Sequence, residues 1–156
     1  MSELQPRELA PDFAIPADGG TTLSLKDYSG KKVVLYFYPK ADTPACTTEA
    51  VDFSALKSDF EKAGAVVIGV SPDPVKKHGK FAAKHNLTVT LGSDESTEML
   101  QRYGVWQEKS MYGKKYMGVA RTTYLIGPDG KILKVWAGVK VKGHAEDVLE
   151  AVKAAS

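Results

Sequence analysis

Val33-Val34-Leu35-Tyr36-Phe37-Tyr38-Pro39-Lys40-Ala41-Asp42-Thr43-Pro44-Ala45-Cys46 is the stretch that decides how this chain folds. Its first six residues are apolar, mostly β-branched or aromatic, with no polar alternation. A strand of that kind is buried on both faces, as in a parallel sheet covered by helices. Thr43 then reads as a helix N-cap. Pro44 follows at the first helical position, where a missing N–H costs nothing. Cys46, Ala50, Phe53, Leu56 and Phe60 form the apolar stripe of one continuous helix that Gly64 ends. The unit is strand, tight loop, helix, with a cysteine in the first helical turn.

The same logic extends in both directions. Residues 65–70 form a second buried strand, and Pro72-Asp73-Pro74 opens a helix to about residue 84, ended by Asn86. A short strand covers 87–91, and a helix covers 96–103 with Gly104 as its stop. Residues 107–118 are polar and glycine-containing and read as a loop. Strands at 121–126 and 131–137 are joined by the turn Gly127-Pro128-Asp129-Gly130. A closing amphipathic helix spans 144–154. Before the first buried strand, extended pieces at 13–15 and 22–24 flank the turn Asp18-Gly19-Gly20, and 27–29 form a helical turn. The expected fold is α/β and thioredoxin-like: a mixed central sheet flanked by helices on both faces, with an N-terminal β extension.

Composition supports one domain over residues 1–156, since 43% hydrophobic and 26% charged residues are ordinary globular values. The single cysteine excludes an internal disulfide, a CxxC pair and a multi-cysteine metal centre. It fits a reducing compartment, and the expected location is cytoplasmic. A net charge of +2 with mixed signs gives no reason to expect nucleic acid. The N-terminus shows neither a basic nor an apolar signal region, and the apolar runs are too short to span a bilayer, so no membrane association is expected. His78, His85 and His144 read as surface residues. That leaves no histidine to pair with Cys46 in protease-type chemistry, and no metal site.

A lone cysteine is most often a small buried apolar residue. Three features raise Cys46 above that. It sits where free N–H groups and the positive end of a helix dipole converge, which favours thiolate over thiol. Ligands of open α/β sheets also bind at the carboxyl ends of the strands. Thr43 places a hydroxyl three residues before the sulfur, able to accept from a helix N–H and to donate to a bound oxygen. Arg121 opens an otherwise apolar strand. The other basic residues, apart from Arg7 and Arg102, are all lysines, and a planar cationic fork can hold a thiolate and an oxyanion together.

Pro39-x-x-x-Thr43-x-x-Cys46 with a later arginine resembles the peroxiredoxin active site. The wider chain is similar to the bacterioferritin comigratory protein / peroxiredoxin Q subfamily. The likeness also rests on Ala10-Pro11-Asp12-Phe13, residues 34–48, Tyr103-Gly104-Val105-Trp106, Met111-Tyr112-Gly113-Lys114 and residues 121–131. It implies a thiol-dependent peroxidase acting on hydrogen peroxide and organic hydroperoxides, with no cofactor. Cys46 is then the peroxidatic nucleophile, and Thr43 and Arg121 its catalytic partners. Pro39 and Pro44 shape the pocket, and Glu49 orients Arg121 or organises the pocket. Tyr112 borders the pocket, and Trp106 borders it or packs in the core. The subfamily leans towards a monomer.

Two positions depart from the pattern. Ala45 stands where glycine is frequent, and Val51 stands where many relatives carry a resolving cysteine. Residues i and i+5 of a helix lie about 140° apart around the axis and about 7.5 Å along it. An unstrained disulfide wants Cα atoms closer than about 7 Å, so relatives with both cysteines must unwind this helix to close the bond. With Cys46 alone, the sulfenic acid is expected to be resolved by an external thiol (glutathione, a glutaredoxin or thioredoxin) or by Cys46 of another molecule. The competing readings are a thioredoxin-fold monothiol reductase and a non-enzymatic binding or chaperone module, the latter using residues 109–115 as its contact surface.

Overall fold

The computed structural model describes residues 4–155; Met1–Glu3 and Ser156, which belong to the N-terminal and domain-limit readings above, lie outside the described residues. The decisive stretch forms strand β3 (Lys32–Phe37). It is flanked by β4 (Ala65–Ser71), β5 (Thr90–Ser93), β8 (Thr122–Ile126) and β9 (Ile132–Trp136) in the order β5-β4-β3-β8-β9. β3, β4 and β5 pair parallel, while β8 and β9 run antiparallel. β1 (Ala14–Pro16) and β2 (Thr22–Ser24) make the N-terminal hairpin, and Leu25–Tyr28 is a 3-10 turn.

Alternate residues of β3 feed two cores. Val33, Leu35 and Phe37 pack with Ile68, Val70, Tyr124 and the β1–β2 segment. Met99 and Leu100 of the short helix α4 (Glu98–Arg102) close that side. Val34 and Tyr36 face the opposite way. They meet α1 (Pro44–Ala55), α2 (Lys57–Lys62), α3 (Val75–His85) and α5 (His144–Ala154) through Phe53, Phe60, Phe81 and Val148. Four helices therefore share one face, and the other carries one short helix with the N-terminal hairpin. Phe53 is fully buried and stacks on Tyr36 at 4.7 Å, so Phe53→Ala costs about 3–5 kcal/mol.

Several expectations need correction. The helix after Cys46 is two helices, α1 and α2, because the backbone turns at Leu56 (φ −99, ψ 4), whose N–H is shared between Asp52 and Phe53 carbonyls. The strand expected at 87–91 lies at Thr90–Ser93. The expected loop at 107–118 is a β-hairpin, β6 (Trp106–Met111) and β7 (Lys114–Val119). It pairs with neither edge of the central sheet, so burial imposes no inside–outside alternation that the sequence would display. Its turn is Tyr112-Gly113 with both φ positive (51 and 77), the geometry of a two-residue hairpin.

The histidine reading fails at two of three positions. His78 and His144 are buried. His78 is clamped between Ser71 (2.7 Å) and Ser93 (2.8 Å), and His144 meets Thr123 at 2.8 Å. Hydroxyls on strand ends receive the ring nitrogens, which removes the penalty that made a surface position expected. His85 is half-buried against Asp42. No helix among the described residues is long and apolar enough to cross a membrane.

Candidate active site

β3 ends at Phe37, and the chain turns through Pro39–Asp42 into α1, which brings Cys46 to the carboxyl edge of the sheet. Two ties hold this turn. The Ala41 N–H donates to Asp73 Oδ2 at 2.7 Å. Asp42, at φ 62, accepts from Lys84 (2.9 Å) and meets His85 (2.9 Å). Asp73 is fixed in turn by Ser71, whose hydroxyl donates to Oδ2 at 2.7 Å. The single Ser71 proton is thereby committed, so His78 Nε2 donates to Ser71 and Nδ1 accepts from Ser93. Burial lowers the His78 pKa, in keeping with this neutral tautomer. Burial would raise the Asp73 carboxyl, but Ala41, Ser71 and Lys77 outweigh it and leave it below the ordinary value.

Cys46 is 1% exposed. Arg121 stands immediately before β8 and reaches it across the sheet edge. Its Nη2 donates to Cys46 Sγ at 3.2 Å, and its Nη1 donates to Glu49 Oε1 at 2.7 Å. The sulfur and the carboxylate sit one helical turn apart on α1, which is why one planar fork serves both.

Glu49 is as buried as Cys46, and its Oε2 has no hydrogen-bond partner. Burial dominates its titration and raises the carboxyl to about 7, with Arg121 only partly offsetting it. Burial pulls the Arg121 pKa down, but Glu49 and Cys46 outweigh it, so the guanidinium stays charged. Tyr36 and Tyr38 are pushed well above the phenol range, chiefly by burial, and stay neutral beside the sulfur.

Thr43 is the N-cap residue, with extended φ and ψ (−95, 157), but its side chain caps nothing. Its hydroxyl instead donates to the Lys40 carbonyl at 2.8 Å. This reverses the expected polarity. With its proton spent on Lys40, Oγ1 faces other groups as an acceptor. The first ladder bond of α1 is Thr47 N–H to Thr43 carbonyl, so the Ala45 and Cys46 N–H groups precede the ladder as donors.

Cys46, Arg121 and Glu49 are thus joined by hydrogen bonds, and Thr43 is the N-cap of the helix that carries Cys46 and Glu49. Pro39 is half-buried in the turn, and Pro44 is exposed at the first helical position. Val51 is 41% exposed on α1. Trp106 packs against the first core, whereas Tyr112 is 98% exposed at the hairpin tip and borders no pocket. Sequence reading missed Asp73, Ser71 and His78 as supports of the turn. The available signal was Ser71-x-Asp73 at the end of a buried strand.

The arrangement places a cysteine sulfur against a fixed cation, with backbone donors beside it and an acceptor hydroxyl on the same turn. No imidazole is free to serve the sulfur as a base, since His78, His85 and His144 are engaged with Ser71, Asp42 and Thr123. No cluster of metal-ligating side chains occurs among the described residues.

Residues 6–135 match the family model described as the AhpC/TSA family. Peroxiredoxin Bcp of Bacillus subtilis is 48% identical over 92% of both chains, and Peroxiredoxin Bcp of Escherichia coli is 40% identical over 98% of both. A crystal structure of a Xylella fastidiosa PrxQ mutant superimposes with a TM-score of 0.94 at 39% identity, covering 99% of both chains. A Xanthomonas campestris bacterioferritin comigratory protein, studied for alkyl peroxide reduction, gives a TM-score of 0.88 at 44% identity, covering 92% of this chain and 91% of that one.

Proposed function

From a chain that belongs to the AhpC/TSA family and is a peroxiredoxin, we infer how its residues divide the work of a thiol-dependent peroxidase. Its substrate is a peroxide, and its partner is a reductant. Cys46 thiolate attacks one peroxide oxygen in line. The S–O bond forms as the O–O bond breaks, leaving Cys46 sulfenic acid and an alkoxide or hydroxide that takes a proton. Arg121 and the Ala45 and Cys46 N–H groups stabilise the charge that develops on the departing oxygen. Thr43 Oγ1 accepts the peroxide's hydrogen bond and so fixes which oxygen faces the sulfur. Glu49 orients the Arg121 fork, and Pro39 and Pro44 hold the turn.

The observation that carries this reading is the Arg121 fork shared between Cys46 and Glu49. Hydrogen peroxide and organic hydroperoxides are the substrates it fits. One domain, working as a monomer in the cytoplasm, suffices for the oxidative half. The reductive half needs an external thiol (glutathione with glutaredoxin, or thioredoxin), because the chain holds no second cysteine. The test is steady-state consumption of hydrogen peroxide and tert-butyl hydroperoxide with each recycling system. Turnover with at least one supports the cycle. An oxidised enzyme that none of them returns to the thiol would refute external recycling.

A further inference from the structure

The β6–β7 hairpin is rooted at the active site. The Ala120 N–H bonds to the Val105 carbonyl at 2.8 Å and closes its base, and the next residue is Arg121. Its register puts Lys109 opposite Tyr116 and Met111 opposite Lys114. Alternation then sets these four side chains on one face. The other face carries Glu108, Met117 and Lys115, with Lys115 paired to Glu108 at 3.6 Å. No such carboxylate meets Lys109 or Lys114 among the described residues. Lys109 lies within electrostatic reach of the site. Burial first and Arg121 second lower its pKa, while Cys46 acts in the opposite direction.

This hairpin also concentrates apolar surface. Of the seven large hydrophobic side chains exposed among the described residues, four lie on it: Met111 and Tyr116 on the face with Lys109 and Lys114, Tyr112 at the tip, and Met117 on the other face. Grouped exposed Met and Tyr mark protein interfaces rather than small-molecule contacts. Unpaired lysines beside them select an acidic partner.

We propose that the Lys109–Met111–Lys114–Tyr116 face of the hairpin is the docking surface for the reductant, a dithiol protein whose reactive thiol is ringed by acidic and apolar side chains. The proposal rests on the peroxidase reading above and names the partner class of that site. In the step it serves, the partner's first thiol displaces water from Cys46 sulfenic acid and forms a mixed disulfide. The partner's second thiol then attacks that disulfide, returning Cys46 as the thiol and leaving the partner oxidised. Cys46 is buried in this structure, so the mixed disulfide requires the chain around the sulfur to move.

The experiment uses pre-oxidised full-length protein and compares reduction by thioredoxin, glutathione and uncharged dithiothreitol. Wild type, Lys114→Glu and Tyr116→Ser are tested at low and high ionic strength. The thioredoxin rate constant should fall about tenfold in each variant, and the Lys114→Glu loss should shrink in high salt. The glutathione and dithiothreitol rates should stay within about twofold of wild type. An unchanged thioredoxin rate overturns the proposal. A parallel loss with glutathione also overturns it, assigning the face to small anionic thiols. The peroxide oxidation rate of wild-type Cys46 is recorded alongside. Its failure would sink the underlying peroxidase reading, whereas the reduction rates judge the docking face alone.

Discussion

Arg121 Nη2 stands 3.2 Å from Cys46 Sγ although 75 positions separate the two residues in the chain. The contact joins the strand edge before β8 to the first turn of α1, and Glu49 holds the other arm of the guanidinium. A sulfur held in this way is oriented beside a fixed positive charge.

Arg121→Ala removes both arms of the fork, so the rate constant for oxidation of Cys46 by hydrogen peroxide should fall by about 10²–10³. Arg121→Lys keeps the charge but loses the planar geometry and should fall between the two. Stopped-flow tryptophan fluorescence or competition with a second peroxidase measures it. A rate within twofold of wild type for the alanine variant would remove Arg121 from the chemistry.

Thr43 Oγ1 already donates to Lys40, which leaves it an acceptor towards the site. Thr43→Val should therefore slow Cys46 oxidation about tenfold, the value of one lost hydrogen bond, while Thr43→Ser should retain most of the rate. Equal rates for the valine and serine variants would show that the hydroxyl contributes nothing at this position.

Glu49 couples the site to pH through stability. Its carboxyl is raised from 4.5 to about 7 in the folded chain, principally by burial. The folded state therefore keeps a proton that the unfolded state releases. The resulting stabilisation is full below about pH 4.5 and is lost as pH rises to about 7. A shift of that size corresponds to about 3 kcal/mol. Urea unfolding of wild type and Glu49→Gln across this range should show the wild type losing stability relative to the variant as pH rises. A difference that stays constant with pH would contradict the raised carboxyl.

His144 acts with the opposite sign. Burial lowers it to about 4, with Asp147 opposing and Arg121 adding to the shift. Its contribution to stability is full above pH 6.5 and is lost as pH falls through about 4. The ring signals of His144 followed by NMR should not move between pH 8 and pH 5.5. Titration with a midpoint near 6.5 would show that the imidazole is not held neutral against Thr123.

The central strand, the helix start at Pro44 and the nearness of Thr43 to Cys46 were readable in the sequence, because local rules govern each; Arg121, 75 positions from Cys46, was picked out by its residue type and by the family resemblance and not by any local rule. Burial on both faces writes an unbroken apolar strand, and Thr-Pro writes a helix start. The hairpin of β6 and β7 was not readable, since it lies outside the central sheet and carries no burial period. His78 and His144 were misplaced for a related reason. Their partners Ser71, Ser93 and Thr123 come from strands distant in sequence, and only the assembled sheet brings them within reach. The direction of the Thr43 hydroxyl also depends on where the Lys40 carbonyl points, which the residue types alone do not determine.

The central claim is that Cys46 is a peroxide-reducing thiolate. Its most direct test is the reaction of the reduced protein with one equivalent of hydrogen peroxide, following thiol loss and trapping of sulfenic acid by a dimedone-type reagent, with Cys46→Ser as control. Stoichiometric sulfenic acid should form at Cys46, at a rate orders of magnitude above that of free cysteine at the same pH, with no trapping in the serine variant. Oxidation of Cys46 no faster than free cysteine would contradict the claim.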